Sequence, residues 1–280
     1  GDVGDLTYPY QVIANNTDTI KDIIDNKHEI SEKINKSKYP CVIFGQSVLK
    51  LKSAPYIFEE FKNYLLVNNK ISDNWNSLNI ISENASTVGS FDLGIYHNID
   101  GSNQVLKDLK DHKYEIVYLL GQDNLNFKKE NEFIIYQGSH GDKGAEIADI
   151  ILPGAAYTEQ DGYFTNLEGK LQKAYRASYP PGEAKEDWQI INDLSEYING
   201  KKLFKNKDEL VSGLLNYLNL NNNKDSSKAS IDIKDLNFQN EKIKINNMDY
   251  YYSNTIARAS KTMFKCRSEK MKLKSTGTEG

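Results

Sequence analysis

The sequence predicts an α/β fold in which a parallel sheet carries helices on both faces. Two observations predict it. Between Pro40 and Pro153 the chain returns repeatedly to a short apolar run, most of them closed by Gly or Pro, with helical or loop segments between the runs. The runs are also nearly continuous in apolar character, as expected of parallel strands buried on two sides rather than of half-exposed antiparallel ones. The arrangement is Rossmann-like, and an extended C-terminal segment follows it.

Residues 1–38 form a polar approach segment with one covering helix over Thr19–Ile34, where Ile20, Ile23, Ile24, Ile30 and Ile34 share a face. Pro40–Gly45 reads as the first strand, with Cys41 as a small buried core residue. Ala54–Val67 is an amphipathic helix presenting Phe58, Phe61, Tyr64 and Leu65. Leu78–Ile81, Glu115–Gly121, Glu132–Gly138 and Asp149–Pro153 supply four more strands. Sheets of this kind bind ligands beyond the carboxyl ends of their strands, so the loops after Gly45, Gly121 and Gly138 are where a site belongs. Beyond Leu152, Tyr163–Asn166 and Leu171–Tyr175 predict a hairpin around Glu168-Gly-Lys170. A helix over Glu183–Ile198 follows Pro180-Pro181, with Trp188, Ile191, Leu194 and Ile198 as its buried stripe. Apolar density falls after Gly200; the Asn- and Ser-rich stretch 219–230 reads as a linker, and 231–280 as a tail ordered only by another surface, ending in a basic, disordered Lys270–Gly280. The predicted organisation is therefore 1–38 approach and covering helix, 39–200 α/β domain, and 201–280 C-terminal extension and docking tail.

Composition narrows the function. A net charge of −4, with 26% charged residues, leaves no basic excess for a nucleic-acid partner. No apolar run reaches the ~20 residues of a membrane span. Two cysteines, Cys41 and Cys266, are too few for an iron–sulfur cluster or a four-cysteine zinc site. Asn-x-Ser/Thr triplets begin at Asn15, Asn35 and Asn84, and the abundance of Asn accounts for them; we take the reducing, intracellular reading. The chain opens with Gly1 rather than Met, which suggests a processed or partial product.

Several clusters invite chemistry. Gly138-Ser-His-Gly-Asp-Lys-Gly144 follows a strand, so its backbone N–H groups and Lys143 could meet a phosphate, but it has neither the P-loop nor the dinucleotide-binding spacing, and we read it as a tight structural turn. His140 and Asp142 in that loop suggest a metal pair, whereas His28, His97 and His112 fall in unrelated contexts and a catalytic zinc needs about three convergent ligands. We therefore expect His140 to bond loop backbone. Asp149, Glu159, Asp161 and Glu168 could form an acid–base set, but acids that flank turns ordinarily accept backbone N–H groups. No Ser lies in a Gly-x-Ser-x-Gly elbow and neither cysteine has an adjacent base. We assign no catalytic, cofactor-binding or metal-ligating residue.

The segment Asp149-Ile-Ile-Leu-Pro-Gly-Ala-Ala-Tyr-Thr-Glu-Gln-Asp-Gly-Tyr-Phe-Thr-Asn-Leu-Glu-Gly-Lys170, continued by Pro180-Pro-Gly-Glu-Ala-Lys-Glu-Asp-Trp188, resembles the signature of the molybdopterin-oxidoreductase superfamily. Within it, Asp5–Tyr10, Ala85–Gly94, Ile134–Ala145 and the tail Asn254–Cys266 are similar to the C-terminal part of the large iron–sulfur subunit of respiratory complex I. Two positions depart from the superfamily pattern: Lys170 stands where Arg is usual, losing planar bidentate recognition, and Gly162-Tyr-Phe replaces Gly-Thr-Tyr. The resemblance implies a molybdopterin-oxidoreductase-like fold and a structural, cofactor-free part of the NADH-oxidising module. It implies a place in the peripheral arm of mitochondrial complex I, on the matrix side of the inner membrane. It also implies other complex I subunits as partners, above all the cluster-bearing N-terminal part of the same subunit as a separate, split polypeptide. The alternatives are a fragment of an active molybdopterin-dependent oxidoreductase, in which 138–144 and 149–170 help hold the pterin, and a freestanding binding module.

Overall fold

The computed structural model describes residues 1, 8–95, 101–122, 127–222, 236–244 and 249–272, and only the backbone of 101–104 and 220–222. His97, half of the Asp5–Tyr10 motif, most of the 219–230 linker and residues 273–280 of the basic end lie outside the described residues. The chain divides into two compact units, Gly1–Ala85 with Asp225–Asn247, and Ser86–Lys224 with Met248–Glu279. The first boundary falls inside the 39–200 stretch that the sequence presents as one domain.

In the first unit, β1 (Val42–Gly45) pairs in parallel with β2 (Leu78–Ile81). Between them lie α3 (Gln46–Leu49) and α4 (Ala54–Val67). α4 has the bounds its pattern predicts, with Phe61, Tyr64 and Leu65 buried against Phe44 of β1 and Leu78 of β2, and Phe58 packed beside them. The Phe44 and Phe61 rings meet edge to face at 5.7 Å, the geometry aromatic quadrupoles favour.

The predicted covering helix is two helices, α1 (Asp18–Ile24) and α2 (Glu29–Lys36). Asn26 breaks it with φ +57°, a left-handed conformation that Asn adopts more readily than most residues. His28 then caps α2, its Nδ1 accepting from Ile30 N at 3.2 Å. The five isoleucines nonetheless converge on one core as the spacing requires. Cys41, expected in the core, is exposed. Val42 and Phe44 point inward, so strand alternation puts Cys41 and Ile43 on the outer side.

Residues 238–243 return to this unit as a strap that the sequence did not reveal. Glu241 N donates to Thr17 Oγ1 at 2.9 Å and its carbonyl accepts from Thr17 N at 3.0 Å. Its carboxylate accepts from Ser53 N at 2.9 Å, while Ser53 Oγ both donates to Gln239 O and accepts from Gln239 N. The Phe238 ring packs against Tyr56, tilted by 54° with centroids 5.3 Å apart.

The second unit opens with α5 (Thr87–Asp92) and α6 (Gly101–Lys110). Its sheet has the order β3 (Ile116–Leu120), β4 (Phe133–Gly138), β5 (Ile150–Pro153), all parallel. β3, β4 and β5 fall within the runs that predict them. The short α7 (Lys143–Glu146) joins β4 to β5. Leu119, Ile134 and Tyr136 form the core of one face, with Val117, Phe127 and Ala145 against them.

The hairpin forms as expected from β6 (Gly162–Thr165) and β7 (Leu171–Ala174). α8 (Asp187–Asn199) starts later than predicted, and its buried residues are Asn192 and Ser195, whereas Ile198 is exposed. That face turns inward because Asn192 holds the returning chain, accepting from Leu203 N and Phe204 N and donating to Phe204 O at 2.8 Å. α9 (Lys207–Asn222) is a further helix where the sequence shows thinning apolar content. Beyond it a 3₁₀ turn (Tyr250–Tyr252), α10 (Thr255–Ala259) and α11 (Lys261–Lys272) follow. Asp249 Oδ2 accepts from Arg267 Nε at 2.5 Å, fastening α11 to that turn. The tail is therefore largely helical over 249–272, after the extended strap at 238–243.

Leu65 is fully buried and Val67, two positions on, is 80% exposed. Leu65→Ala is expected to lower stability by about 2–5 kcal/mol, and Val67→Ala by at most about 0.5 kcal/mol. Equal shifts in a chemical-denaturation series would mean that α4 does not bury the face described.

Candidate functional site

The carboxyl end of β4 is where an open parallel sheet places its ligands. Here the Gly138–Gly144 loop is filled from within. The Tyr136 hydroxyl reaches across it and donates to His140 O at 2.8 Å. A Cβ on Gly138 would stand 2.5 Å from that hydroxyl, and one on Gly144 would stand 2.7 Å from Gln122 O. Packing on Tyr136 and Gln122 thus accounts for both glycines. The His140 ring meets Ser139 Oγ at 3.0 Å rather than loop backbone, and Asp142 Oδ2 accepts from Arg258 Nε at 2.6 Å. The structure does not pair His140 with Asp142 as metal ligands. His28, as described, caps α2, and His112 sits 2.6 Å from buried Glu132. The Glu130 N–H, and then His112, hold the Glu132 carboxyl below its ordinary range.

Asp149, Glu159 and Asp161 are each committed to a turn or a strand end. Asp149 accepts from Lys129 Nζ at 2.5 Å and from Ile134 N at 2.8 Å, and these bonds, the lysine's first, lower its pKa. Glu159 accepts from Ala156 N at 2.9 Å. Asp161 accepts from Arg176 N at 2.9 Å and faces Lys207 at 3.3 Å; the Arg176 N–H leads in lowering its pKa. In the β6–β7 turn, Asn166 Oδ1 accepts from Glu168 N and Lys170 N at 3.0 and 2.9 Å while Gly169 takes φ +79°. Glu168 and Lys170 lie exposed on that turn.

A buried polar network was not legible in the sequence. Gln137, fully buried on β4, accepts from the Tyr118 hydroxyl and donates to Asp187 Oδ1 at 2.8 Å. Asp187 Oδ2 accepts in turn from Gln160 Nε2 at 3.1 Å, so the network ties β3, β4, the signature segment and the start of α8 together. Burial first, and then the Asp187 charge, raises the Tyr118 pKa. The available signal was a lone Gln at the end of an otherwise apolar strand.

Next to this network a cavity of about 410 Å³ is lined by α5, the hairpin, the start of α8 and α9. Leu93, Phe164, Leu210, Val211, Leu214 and Leu218 make most of its wall apolar, and Asp161, Asp187 and Lys207 stand at its polar end. Lys207 lies 2.5 Å from Glu186 and 3.3 Å from Asp161, so its charge is already spent between two carboxylates. Trp188 Nε1 also donates to Glu186, at 2.9 Å. A pterin cofactor brings a phosphate and a metal. Lys207, already paired among carboxylates, does not fit a phosphate at this cavity.

Gln137→Leu is expected to cost about 1–3 kcal/mol in chemical denaturation, because it strands the Tyr118 hydroxyl and one oxygen of Asp187. Asp149 adds a pH dependence. Its folded pKa is lowered, so its contribution is present above the unfolded value of about 3.9 and is lost as pH falls through the folded value. Asp149→Asn should flatten stability against pH below about pH 4; an unchanged acid limb would exclude that contribution.

The molybdopterin oxidoreductase family matches residues 1–197. The NADH-ubiquinone oxidoreductase 75 kDa subunit of Reclinomonas americana is 36% identical over 96% of this chain and 40% of its own length. An NADH-quinone oxidoreductase subunit from Rickettsia bellii is 35% identical over 99% of this chain and 40% of its own length. The mitochondrial NADH-ubiquinone oxidoreductase 78 kDa subunit of Candida albicans is 34% identical over 85% of this chain and 34% of its own. The chain thus spans about two-fifths or less of the length of these relatives. The family match takes in every strand of both units, the signature hairpin and most of α8, and this protein therefore belongs to the molybdopterin oxidoreductase family.

Proposed function

We propose that this chain is a structural, cofactor-free part of the NADH-oxidising module of complex I, in the peripheral arm on the matrix side of the mitochondrial inner membrane. In that reading, iron–sulfur clusters on the polypeptide that corresponds to the rest of the relatives' length carry electrons from NADH towards ubiquinone. The observation that carries it is similarity over 96% and 99% of the chain to subunits named NADH-ubiquinone and NADH-quinone oxidoreductase. The wiring of the site supports the structural half of the reading. Asp142, Asp149, Glu159, Asp161, Asp187 and Glu186 all hold chain segments together, and a carboxylate so engaged is poorly placed to exchange protons with a substrate. No helix among the described residues is long and apolar enough to cross a membrane, in keeping with attachment through other subunits.

Solubilised mitochondrial membranes should be separated on a native gel, stained for NADH dehydrogenase activity and read by mass spectrometry. The expected result is this chain in the active high-mass band, at the 31.9 kDa of these 280 residues if it is a separate polypeptide and at a greater mass if it is not. Its absence from that band removes it from complex I. Metal analysis of the purified chain should find neither iron nor molybdenum; stoichiometric molybdenum would return the reading to an active pterin enzyme.

A further inference from the structure

One face of the three-stranded sheet carries the Leu119–Ile134–Tyr136 core, and the other is only partly covered. Strand alternation and the parallel register put Ile116, Tyr118, Leu120, Phe133, Ile135, Gln137, Ile150 and Leu152 on the face opposite the Leu119–Ile134–Tyr136 core. At the carboxyl end of that face the start of α8 covers Gln137 through Asp187. Towards its rim the face is open, with Ile116 64% exposed, Leu120 52%, Phe133 43% and Ile150 44%, while Tyr118, Ile135 and Leu152 are half-buried; at the β5 edge Ile151 of the core side is exposed as well. Apart from Gln137 it is wholly apolar or aromatic, and parallel sheets occur almost only with both faces covered by helices. A contiguous apolar patch of this kind marks an interaction surface.

The charge around it points to a hydrophobic occupant. At the amino ends of the strands, His112 pairs with Glu132 at 2.6 Å and Lys113 with Asp108 at 2.6 Å. At the other end Tyr118 is bound to Gln137. The groups that frame the face are thus already engaged with one another. The relatives supply the length from which an occupant can come, since this chain accounts for only 40% of the two it matches over most of its own length.

We propose that the open face of β3–β4–β5 is the docking surface for apolar helix stripes of the polypeptide segment that corresponds to the part of the relatives' length outside this chain. Those helices complete the second layer of the α/β sheet, with the β-branched and aromatic side chains at 116, 133 and 150 buried beneath them. The identity of the occupant rests on the complex I reading given above; the existence of an interface on this face does not.

The test places a photo-crosslinking phenylalanine analogue at Ile150, and separately at Ile116, in the full chain expressed in its source cells, with Val67 of α4 as an exposed control in the other unit. Crosslinked peptides are then identified in the solubilised membranes. The expected result is linkage from positions 150 and 116 to helices of the segment matching the relatives' remaining length. Linkage to a second copy of this chain, to its own residues 223–280 or to an unrelated protein overturns the proposal. So does assembly into the NADH dehydrogenase-active band without any link from either position. Linkage to the expected segment in a particle that lacks NADH dehydrogenase activity leaves the docking surface standing and removes the complex I reading. As a second variant, Ile116→Glu combined with Ile150→Glu should leave the melting temperature of the isolated chain unchanged and lower its recovery in the high-mass band at least tenfold; full recovery overturns the proposal.

Discussion

The second unit depends on what is fastened to β4. This strand lies between β3 and β5, so its backbone supplies both ladders, and its side chains divide between two unlike tasks. Ile134 and Tyr136 fill the core, whereas Gln137, on the other face, binds Tyr118 on one side and Asp187 on the other. Asp149, just before β5, receives the Ile134 N–H and gives its own N–H to Ile134 O, which sets the level at which β5 joins the sheet. Gly154 N then donates to Gly138 O at 3.0 Å at the far end. A chain fixed at both ends of one central strand has little freedom in where the signature segment starts. That is how a buried strand positions residues 154–188 through contacts within the chain.

Much of this was legible because apolar periodicity reports burial directly. All five parallel strands, the β6–β7 hairpin and α4 stand where short apolar runs and helical spacing put them. Reading failed where polar side chains decide the geometry. α8 buries Asn192 and Ser195 because they bond the returning chain, and a pattern scored on apolar stripes selects Ile198 instead. The strap at 238–243 is held by Thr17, Ser53 and Glu241, residues far apart in sequence whose pairing no local pattern encodes. The division of strands into two parallel sheets is equally invisible, because an apolar run states that it is buried but not against which neighbour.

The site illustrates the same limit in electrostatic form. A Gly-rich loop after a strand, with His, Asp and Lys in it, has the composition of an anion or metal site. What distinguishes a turn from a site is whether those groups are engaged, and this depends on partners elsewhere in the chain. Tyr136 fills the space in front of Gly138, Arg258 from α10 takes Asp142, and Lys207 from α9 sits between Asp161 and Glu186. Both cations lie beyond Gly200, in the stretch 201–280 that the sequence presents as a C-terminal extension and docking tail. The C-terminal helices therefore supply counter-charges to this region as well as apolar wall to the cavity beside it.

The two faces of the β3–β4–β5 sheet carry opposite thermodynamic signs. Burying Leu119, Ile134 and Tyr136 stabilises the chain by itself, at roughly 25 cal/mol per Å² of apolar surface removed from water. The exposed Ile116, Leu120, Phe133 and Ile150 gain nothing until something covers them, so that share of the hydrophobic stabilisation is available only to an assembly. The sheet that anchors the core of the second unit with one face thus also presents exposed apolar side chains on the other.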